Sequence, residues 1–210
     1  MGNKHTLFSL AMLALLMATF LACSSKPKRL PILGEMDIKN GDTLFHAVPD
    51  MVLVDQDSQS FQLSKLGNKV VVADFFFTSC PSICPRVKKQ MLRLYDKYKN
   101  DDRVMFVSHT IDPRHDSTTV LKRYAHNLGV NTVDWKFVTG DKDSIFTLAD
   151  QYFVSVVDDP SAPSGFDHSG RIILVDNKRH VRGYCDGTDP KSVDGFFATI
   201  DELLHEQYAQ

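Results

Sequence analysis

Two cysteines separated by three residues are the side chains in this sequence best suited to chemistry. Cys80 and Cys84 lie in the run Cys-Pro-Ser-Ile-Cys-Pro, directly after a continuous apolar stretch. Paired thiolates can close a disulfide, or they can bind a soft metal such as Cu(I), zinc or an iron–sulfur cluster. The spacing alone leaves both chemistries open, as well as an incidental pairing of two cysteines.

The residues around this pair predict where it lies in the fold. Residues 69–77 are almost all apolar, β-branched or aromatic, which is typical of a central strand buried on both faces. Pro85 lacks an amide N–H and is favoured at the first position of a helix, so we predict Cys84 as the N-cap and Cys80 in the preceding loop. Because a helix N-terminus stabilises anions, at least one easily formed thiolate is expected.

The helix predicted over residues 86–100 has one apolar stripe and several basic positions. The apolar residues recur at spacings of four, three and four, which indicates a buried face. They are Val87, Met91, Leu94 and Tyr98. The basic residues Lys88, Lys89, Arg93 and Lys97 are interpreted as a solvated face.

Strands and helices alternate along the rest of the chain. A small hairpin over residues 53–63 opens the pattern, and strands are predicted at 104–111 and 135–139. A helix capped by Asp116 or Ser117 ends at Gly129, another begins at Asp141, and a strand hairpin (171–175 and 181–185) precedes a last helix with Asp189 as N-cap. This order predicts the α/β class: a single thioredoxin-like domain whose central mixed sheet is covered by helices, with an N-terminal hairpin.

His168 is the histidine best placed to complete a metal site with the two cysteines. The chain has eight histidines, and this one lies in a loop just before the strand that starts at Arg171. In a thioredoxin-like fold that loop approaches the dithiol from the opposite side. Asp167 would then support the imidazole as a hydrogen-bonding neighbour. A loop histidine that is merely solvated is the alternative.

The N-terminus has the pattern of a bacterial lipoprotein signal. Lys4 and His5 precede an apolar segment that is short for a bilayer span, and a small residue comes before Cys23. We predict a signal peptide over residues 1–22, a lipidated Cys23 with a tether over 23–46, and the folded domain over 47–207. An uncleaved transmembrane anchor is the alternative. Both place the remaining chain outside the cytoplasm, in the periplasm or on the outer face.

Composition and cysteine number narrow the classes of function. The net charge is −2 and no long run of either sign occurs, so nucleic acid is not predicted as a partner. With Cys23 lipidated, three cysteines remain in an oxidising compartment, where structural disulfides usually come in even numbers. The cysteines therefore indicate a reactive or metal-binding site and not a set of structural disulfides.

Four motifs in order resemble the Sco/SenC family. They are FFFTSCPSICP at 75–85, DPRHD at 112–116, WKFVTG at 135–140 and DHS at 167–169. The resemblance implies a thioredoxin fold that binds one copper ion, as Cu(I) or Cu(II), through Cys80, Cys84 and His168. It also implies a role in building the dinuclear copper centre of cytochrome c oxidase. The implied partners are the copper-bearing subunit of that oxidase and an upstream copper donor.

Three further residues have two interpretations each. Asp74 interrupts the buried strand before Cys80 and resembles the buried acid of thioredoxins, so it could accept a proton during disulfide exchange or simply hydrogen-bond within the sheet. Asp112 could tune the site or start the turn at Pro113. Cys185 is interpreted as a small buried apolar residue, and a fourth metal ligand is the alternative.

The function expected first is that of a copper metallochaperone. The alternative is an extracytoplasmic thiol–disulfide oxidoreductase that keeps the copper-ligand cysteines of the oxidase reduced. A peroxidase-like activity is a third hypothesis, supported only by the general fold.

Overall fold

The computed structural model describes residues 29–159, 161 and 165–209. The predicted signal peptide and the predicted lipidation site Cys23 lie outside these residues. Within them, no helix combines the length and the apolar character needed to cross a bilayer.

Eleven strands occur in the described residues. They are β1 (Met36–Lys39), β2 (Asp42–Phe45), β3 (Leu53–Asp55), β4 (Ser60–Phe61), β5 (Val70–Phe76), β6 (Val104–Thr110), β7 (Trp135–Thr139), β8 (Val156–Asp158), β9 (Phe166–His168), β10 (Arg171–Val175) and β11 (Val181–Asp186). Seven of them form a central sheet in the order β11-β10-β5-β6-β7-β3-β4, while β1–β2 and β8–β9 are separate two-stranded sheets.

The central sheet is mixed, as predicted. Strands β5, β6 and β7 run parallel, and the β5–β6 register extends from Val70 opposite Val104 to Phe76 opposite Thr110. Strands β10 and β3 pair antiparallel on either side of this parallel unit. Every residue of β5 is buried, which agrees with its continuous apolar sequence. The carboxyl ends of β5 and β6 therefore share one edge of the sheet.

Four helices occur in the described residues, and their caps explain where they begin. They are α1 (Ile83–Tyr98), α2 (Thr118–Leu128), α3 (Lys142–Gln151) and α4 (Pro190–Tyr208). Ser117, Asp141 and Asp189 each accept a hydrogen bond from a backbone N–H of the first turn that follows. Gly129 ends α2 in the left-handed conformation that glycine adopts without strain.

Helices cover both faces of the sheet because successive side chains of a strand point to opposite sides. Phe76 packs against Tyr124 of α2 and lies under Lys88 of α1. Its neighbour Phe75 packs on the other face, against Tyr152 next to α3. The predicted α/β class with a helix-covered mixed sheet and an opening β3–β4 hairpin is confirmed.

The start of α1 differs from the prediction. The helix begins at Ile83 with Ser82 at the N-cap, so the assignment of Cys84 as N-cap is wrong. Cys84 and Pro85 instead lie within the first turn. The amide donors of a first turn have no partner inside the helix, and a proline there costs no hydrogen bond, so helix formation extends two residues further than predicted.

A hairpin that the sequence did not suggest lies within the stretch assigned to the tether. Strands β1 and β2 pair antiparallel, and all eight of their residues are exposed. Neither face is buried, so the usual alternation of apolar and polar residues is absent and the strands carried no periodic signal.

Candidate metal centre

The structure brings together the three side chains that the sequence selected. One ligand atom from each of Cys80, Cys84 and His168 lies within 4.8 Å of the others, and all three residues are buried. The Sγ of Cys84 is 3.5 Å from the Nε2 of His168. Within the described residues, this is the one His, Cys, Asp or Glu group compact enough to hold a metal ion.

Two separate segments deliver these ligands to the same edge of the sheet. Cys80 follows the end of β5, where its N–H donates to the carbonyl of Phe77 at 3.3 Å. His168 is the last residue of β9 and pairs with Val156 of β8, and the ring of Phe77 contacts its imidazole edge-on. The β8–β9 hairpin therefore holds the imidazole over the dithiol.

Asp116 organises the loop that carries Cys80, a role that the sequence did not reveal. Its buried carboxylate accepts hydrogen bonds from the Thr78 N–H at 3.0 Å, the Thr78 hydroxyl at 2.5 Å and the Thr110 hydroxyl at 2.6 Å. Ser117, not Asp116, is the cap of α2. The signal available in the sequence was the Asp-Pro-Arg-His-Asp motif, whose last residue is this aspartate.

The two thiols have opposite acid–base character. Burial raises the pKa of Cys80, but hydrogen bonds involving Cys84 and Ser82 outweigh burial and leave it below the ordinary value. Burial, together with the hydrogen bond to Cys80, raises the pKa of Cys84 far above the ordinary range. Cys80 is therefore the thiol that forms a thiolate first, in line with the expectation of at least one easily formed thiolate.

The imidazole of His168 is held in its neutral form. Burial lowers its pKa, while a backbone hydrogen bond at Ser169 and the charges of Asp74 and Asp167 act in the other direction. A neutral imidazole is the form that ligates metals. Within the described residues no hydrogen bond joins Asp167 to His168. The two are successive residues of β9, and their side chains point to opposite sides. A supporting role for Asp167 therefore stays a prediction.

Lys88 is not on a solvated face, contrary to the prediction. Its side chain lies beneath the site, where its Nζ donates to both carboxylate oxygens of Asp74, at 2.7 and 2.9 Å, and to Ser108 Oγ at 2.6 Å. Asp74 also accepts from the Ser108 hydroxyl at 2.5 Å. Asp74 is 14 residues and Ser108 20 residues from Lys88, and the apolar spacing of a helix does not reveal contacts with neighbouring strands.

Asp112 and Cys185 have structural contacts. The backbone carbonyl of Asp112 accepts from the N–H groups of His115 and Asp116, which forms the turn after β6, and its carboxylate binds His115 Nδ1 at 2.8 Å. Cys185 is buried on β11 opposite Ile172, and burial raises its pKa to about 12. An inert, protonated thiol agrees with its interpretation as a small apolar residue.

The donor set fits a soft metal ion better than a structural zinc ion. Two sulfurs and one imidazole nitrogen suit three-coordinate Cu(I), whereas structural zinc sites usually have four protein ligands. The same two sulfurs lie within 4.8 Å of each other, so the pair can also form a disulfide after a small movement. Both chemistries considered for the sequence remain available in this geometry.

The fold and the site together define a thioredoxin-like protein with a buried Cys₂His cluster at the carboxyl end of its central strands. The model of the SCO1/SenC family matches residues 42–204, and the chain belongs to that family. A curated relative, the SCO1 protein homolog of Bacillus subtilis (strain 168), is 32% identical over 144 residues, which cover 68% of this chain and 74% of the relative.

Solved structures agree with this family membership. A SCO1/SenC family lipoprotein from Bacillus anthracis str. Ames superposes with a TM-score of 0.67 at 25% identity, over 75% of this chain and 94% of that one. BsSco, described as having a disulfide switch, gives a TM-score of 0.66 at 27% identity, over 75% and 93%. Copper-bound ScoI from Arabidopsis thaliana shares the fold, with a TM-score of 0.64 at 21% identity over 76% and 99%.

Proposed function

We propose that this protein binds one copper ion through Cys80, Cys84 and His168 and acts as a metallochaperone in assembly of the copper centre of cytochrome c oxidase. The observation that carries the proposal is the convergence of three buried ligand atoms within 4.8 Å, drawn from two segments more than eighty residues apart. BsSco, to which the chain is similar, is described as a member of the Sco family of cytochrome c oxidase assembly proteins.

The arrangement suits a metal that is bound and then passed on. Copper is the cargo here, and a set of three ligands leaves a coordination position at which a ligand of the recipient can add. Cys80 precedes the exposed residues Pro81 and Ser82, so a recipient reaches the site from this side. The proposed partners are an upstream copper donor and the copper-bearing subunit of the oxidase.

Copper loading tests the ligand set. The full chain, solubilised in detergent and reduced, is titrated with Cu(I), and we expect one ion per chain. Mutation of a residue that only hydrogen-bonds to a metal ligand typically lowers metal affinity by roughly 10–100-fold. Replacing a ligand itself, Cys80, Cys84 or His168, with Ala should therefore weaken Cu(I) binding by about 100-fold or more. His126→Ala is the matched control, since His126 is exposed on α2. Full affinity in the His168→Ala protein would contradict the three-ligand site.

A thiol–disulfide oxidoreductase is the second candidate function. The lowered pKa of Cys80 and the disulfide switch described for BsSco favour it. This function needs Cys80 and Cys84 but not His168, with Asp74 as the proposed proton acceptor. Reduction of a disulfide peptide by the wild type and by the His168→Ala and Asp74→Asn variants distinguishes the two: a rate that depends on Asp74 but not on His168 supports the oxidoreductase.

We further propose that the domain over 47–207 is held on the extracytoplasmic side of a membrane by lipid on Cys23. The similarity to a SCO1/SenC family lipoprotein supports this placement. Metabolic labelling with a radioactive fatty acid checks it. We expect label on the wild type and none on a Cys23→Ser variant, and an unlabelled wild type would exclude the lipid anchor.

A further inference from the structure

A buried ion pair lies directly behind the candidate metal centre. Lys88 is 2% exposed and Asp74 is 0% exposed, and their closest contact is 2.7 Å. Ser108 bonds to both, and the indole Nε1 of Trp135 donates to Ser108 Oγ at 2.9 Å. Each charged atom of the pair therefore has a hydrogen-bond partner.

Stability alone does not account for such a pair. Burying two charges costs desolvation energy that their attraction often only offsets, and apolar replacements of similar volume are frequently neutral or stabilising. The neighbours of Lys88 are in fact aromatic: its Nζ lies 4.1 Å from the ring centroid of Phe76 and 5.5 Å from that of Trp135. An apolar side chain would suit this environment, so the charge calls for another reason.

The position of Lys88 on α1 suggests that reason. It lies four residues after Cys84, and residues at this spacing are neighbours on one helix face. Both side chains are buried, so little water screens their interaction. The ammonium group of Lys88 therefore lies on the same buried helix face as the Cys84 sulfur, where its charge acts on that sulfur with little screening.

We propose that Lys88 is a positioning residue whose ammonium group stabilises negative charge on the cysteine sulfurs, so that it favours the reduced dithiol over the disulfide and bound Cu(I) over bound Cu(II). Asp74 acts in the opposite direction and limits the size of the effect. The copper half of this inference rests on the proposed function, while the thiol half concerns the metal-free protein.

The electron balance shows why a fixed charge matters. Reduction breaks the Cys80–Cys84 S–S bond and adds two electrons to the sulfurs. An external dithiol supplies these electrons and becomes a disulfide itself. A cysteine that is a thiol, and not a thiolate, in the reduced protein takes its proton from solvent. Only the reduced state carries negative charge there, so a nearby cation shifts the equilibrium toward it. Reduction of bound Cu(II) to Cu(I) by an external one-electron reductant likewise adds one negative charge to the site.

Two single substitutions with opposite expected signs test the thiol half. The metal-free full chain is equilibrated with dithiothreitol buffers, and the fraction of reduced Cys80–Cys84 is measured by alkylation and mass spectrometry. Lys88→Met lowers the equilibrium constant for reduction about tenfold, which is about 30 mV for a two-electron couple. Asp74→Asn raises it. Lys89→Met, an exposed neighbour on the same helix, leaves it unchanged.

A merely structural role would not produce this sign reversal. If both variants shift the equilibrium in one direction, or if neither moves it, the proposal is overturned. Lys88→Met leaves Asp74 buried without its cation and could fail to fold, so the double variant Lys88→Met/Asp74→Asn, which buries no charge, is compared with the wild type. Lys88 lies on the same helix face as Cys84 whereas Asp74 lies on β5, so loss of both charges should still lower the constant, by less than tenfold. No decrease would refute the proposal.

Copper titration separates this inference from the proposed function. If the wild type binds no copper, the metallochaperone role fails, while the dithiol equilibrium still decides the role of Lys88. If copper binds, Lys88→Met should lower the ratio of Cu(I) to Cu(II) affinity about tenfold, or 59 mV for one electron, with one ion still bound per chain. Wild-type affinities for both oxidation states in that variant would defeat the copper half alone.

Discussion

At the scale of single residues, Asp116 is the side chain on which the geometry of the dithiol loop depends most. Its buried carboxylate accepts three hydrogen bonds, two of them from Thr78, two positions before Cys80. Asp116→Ala leaves these donors without a partner, and we expect a loss of about 3 kcal/mol in the free energy of unfolding. Urea denaturation followed by circular dichroism measures it.

Ser117→Ala is the matched comparison for this substitution. It removes the cap of α2 and should cost about 1 kcal/mol. The sequence left the cap open between these two adjacent residues, because both are good N-cap types. The choice depends on contacts of Asp116 with Thr110, six residues earlier, and with Thr78, 38 residues earlier, so only the folded structure assigns it. Equal losses for the two variants would mean that Asp116 does not anchor the loop.

At the scale of elements, the segment that precedes β1 is held against β11 and α4 by the buried Arg182. Arg182 donates to the Leu30 carbonyl at 2.6 Å and to both oxygens of Glu206, and Glu206 accepts from the Leu30 N–H. A third partner is Asp176, at 3.1 Å. Since Val175 pairs with Val71 near the start of β5, this contact lies at the opposite end of the sheet from Cys80.

Removing this arginine should loosen the whole N-terminal attachment. Arg182→Met removes the guanidinium partner of the buried Asp176 and of the partly buried Glu206, and we expect a loss of about 3 kcal/mol together with faster trypsin cleavage after Arg29. Arg103→Met, which removes a partly exposed pair with Asp101, should cost less than about 1 kcal/mol. Unchanged cleavage of the Arg182→Met protein would show that the segment is held by other contacts.

Elements with a strong periodic pattern were predictable, and those without one were not. Strand β5 and helices α1 and α4 follow from continuous or helical apolar spacing, and the cap of α4, Asp189, follows from residue type. The short pairs β1–β2 and β8–β9 bury too little to leave such a pattern. Strand β9 nevertheless carries His168, which the sequence placed in a loop; the approach of this segment to the dithiol was inferred from the fold class and not from its own sequence.

At the scale of the whole molecule, the site could be predicted as a set of residues but not as an electrostatic unit. The cysteine spacing and the motif resemblance selected Cys80, Cys84 and His168, and the fold brings them together. Lys88 was placed on the wrong face because a helical pattern cannot distinguish a solvated lysine from one paired with a buried aspartate on the preceding strand. The local charge balance around the dithiol therefore depends on tertiary structure.

The stability of the whole domain should fall in acid through a buried histidine away from the dithiol. His109 is 1% exposed, with its ring stacked on Phe75 and against Tyr152. Burial lowers its pKa from 6.5 to about 4, although the nearby Asp74 opposes the shift. The unfolded chain therefore takes up a proton near pH 6.5 that the folded chain refuses until about pH 4. The stabilisation is complete above pH 6.5 and is lost as the pH falls toward 4.

Comparison of two pH values isolates this contribution. Between pH 7.5 and 4.5, His109 should account for a decrease of about 2.5 kcal/mol in the unfolding free energy of the metal-free protein. In His109→Leu the decrease should be smaller by that amount, because the other titrating groups remain, whereas the exposed His126→Leu variant should match the wild type. An identical pH dependence in all three proteins would show that His109 is protonated equally in the folded and unfolded chains, and that the acid sensitivity arises elsewhere.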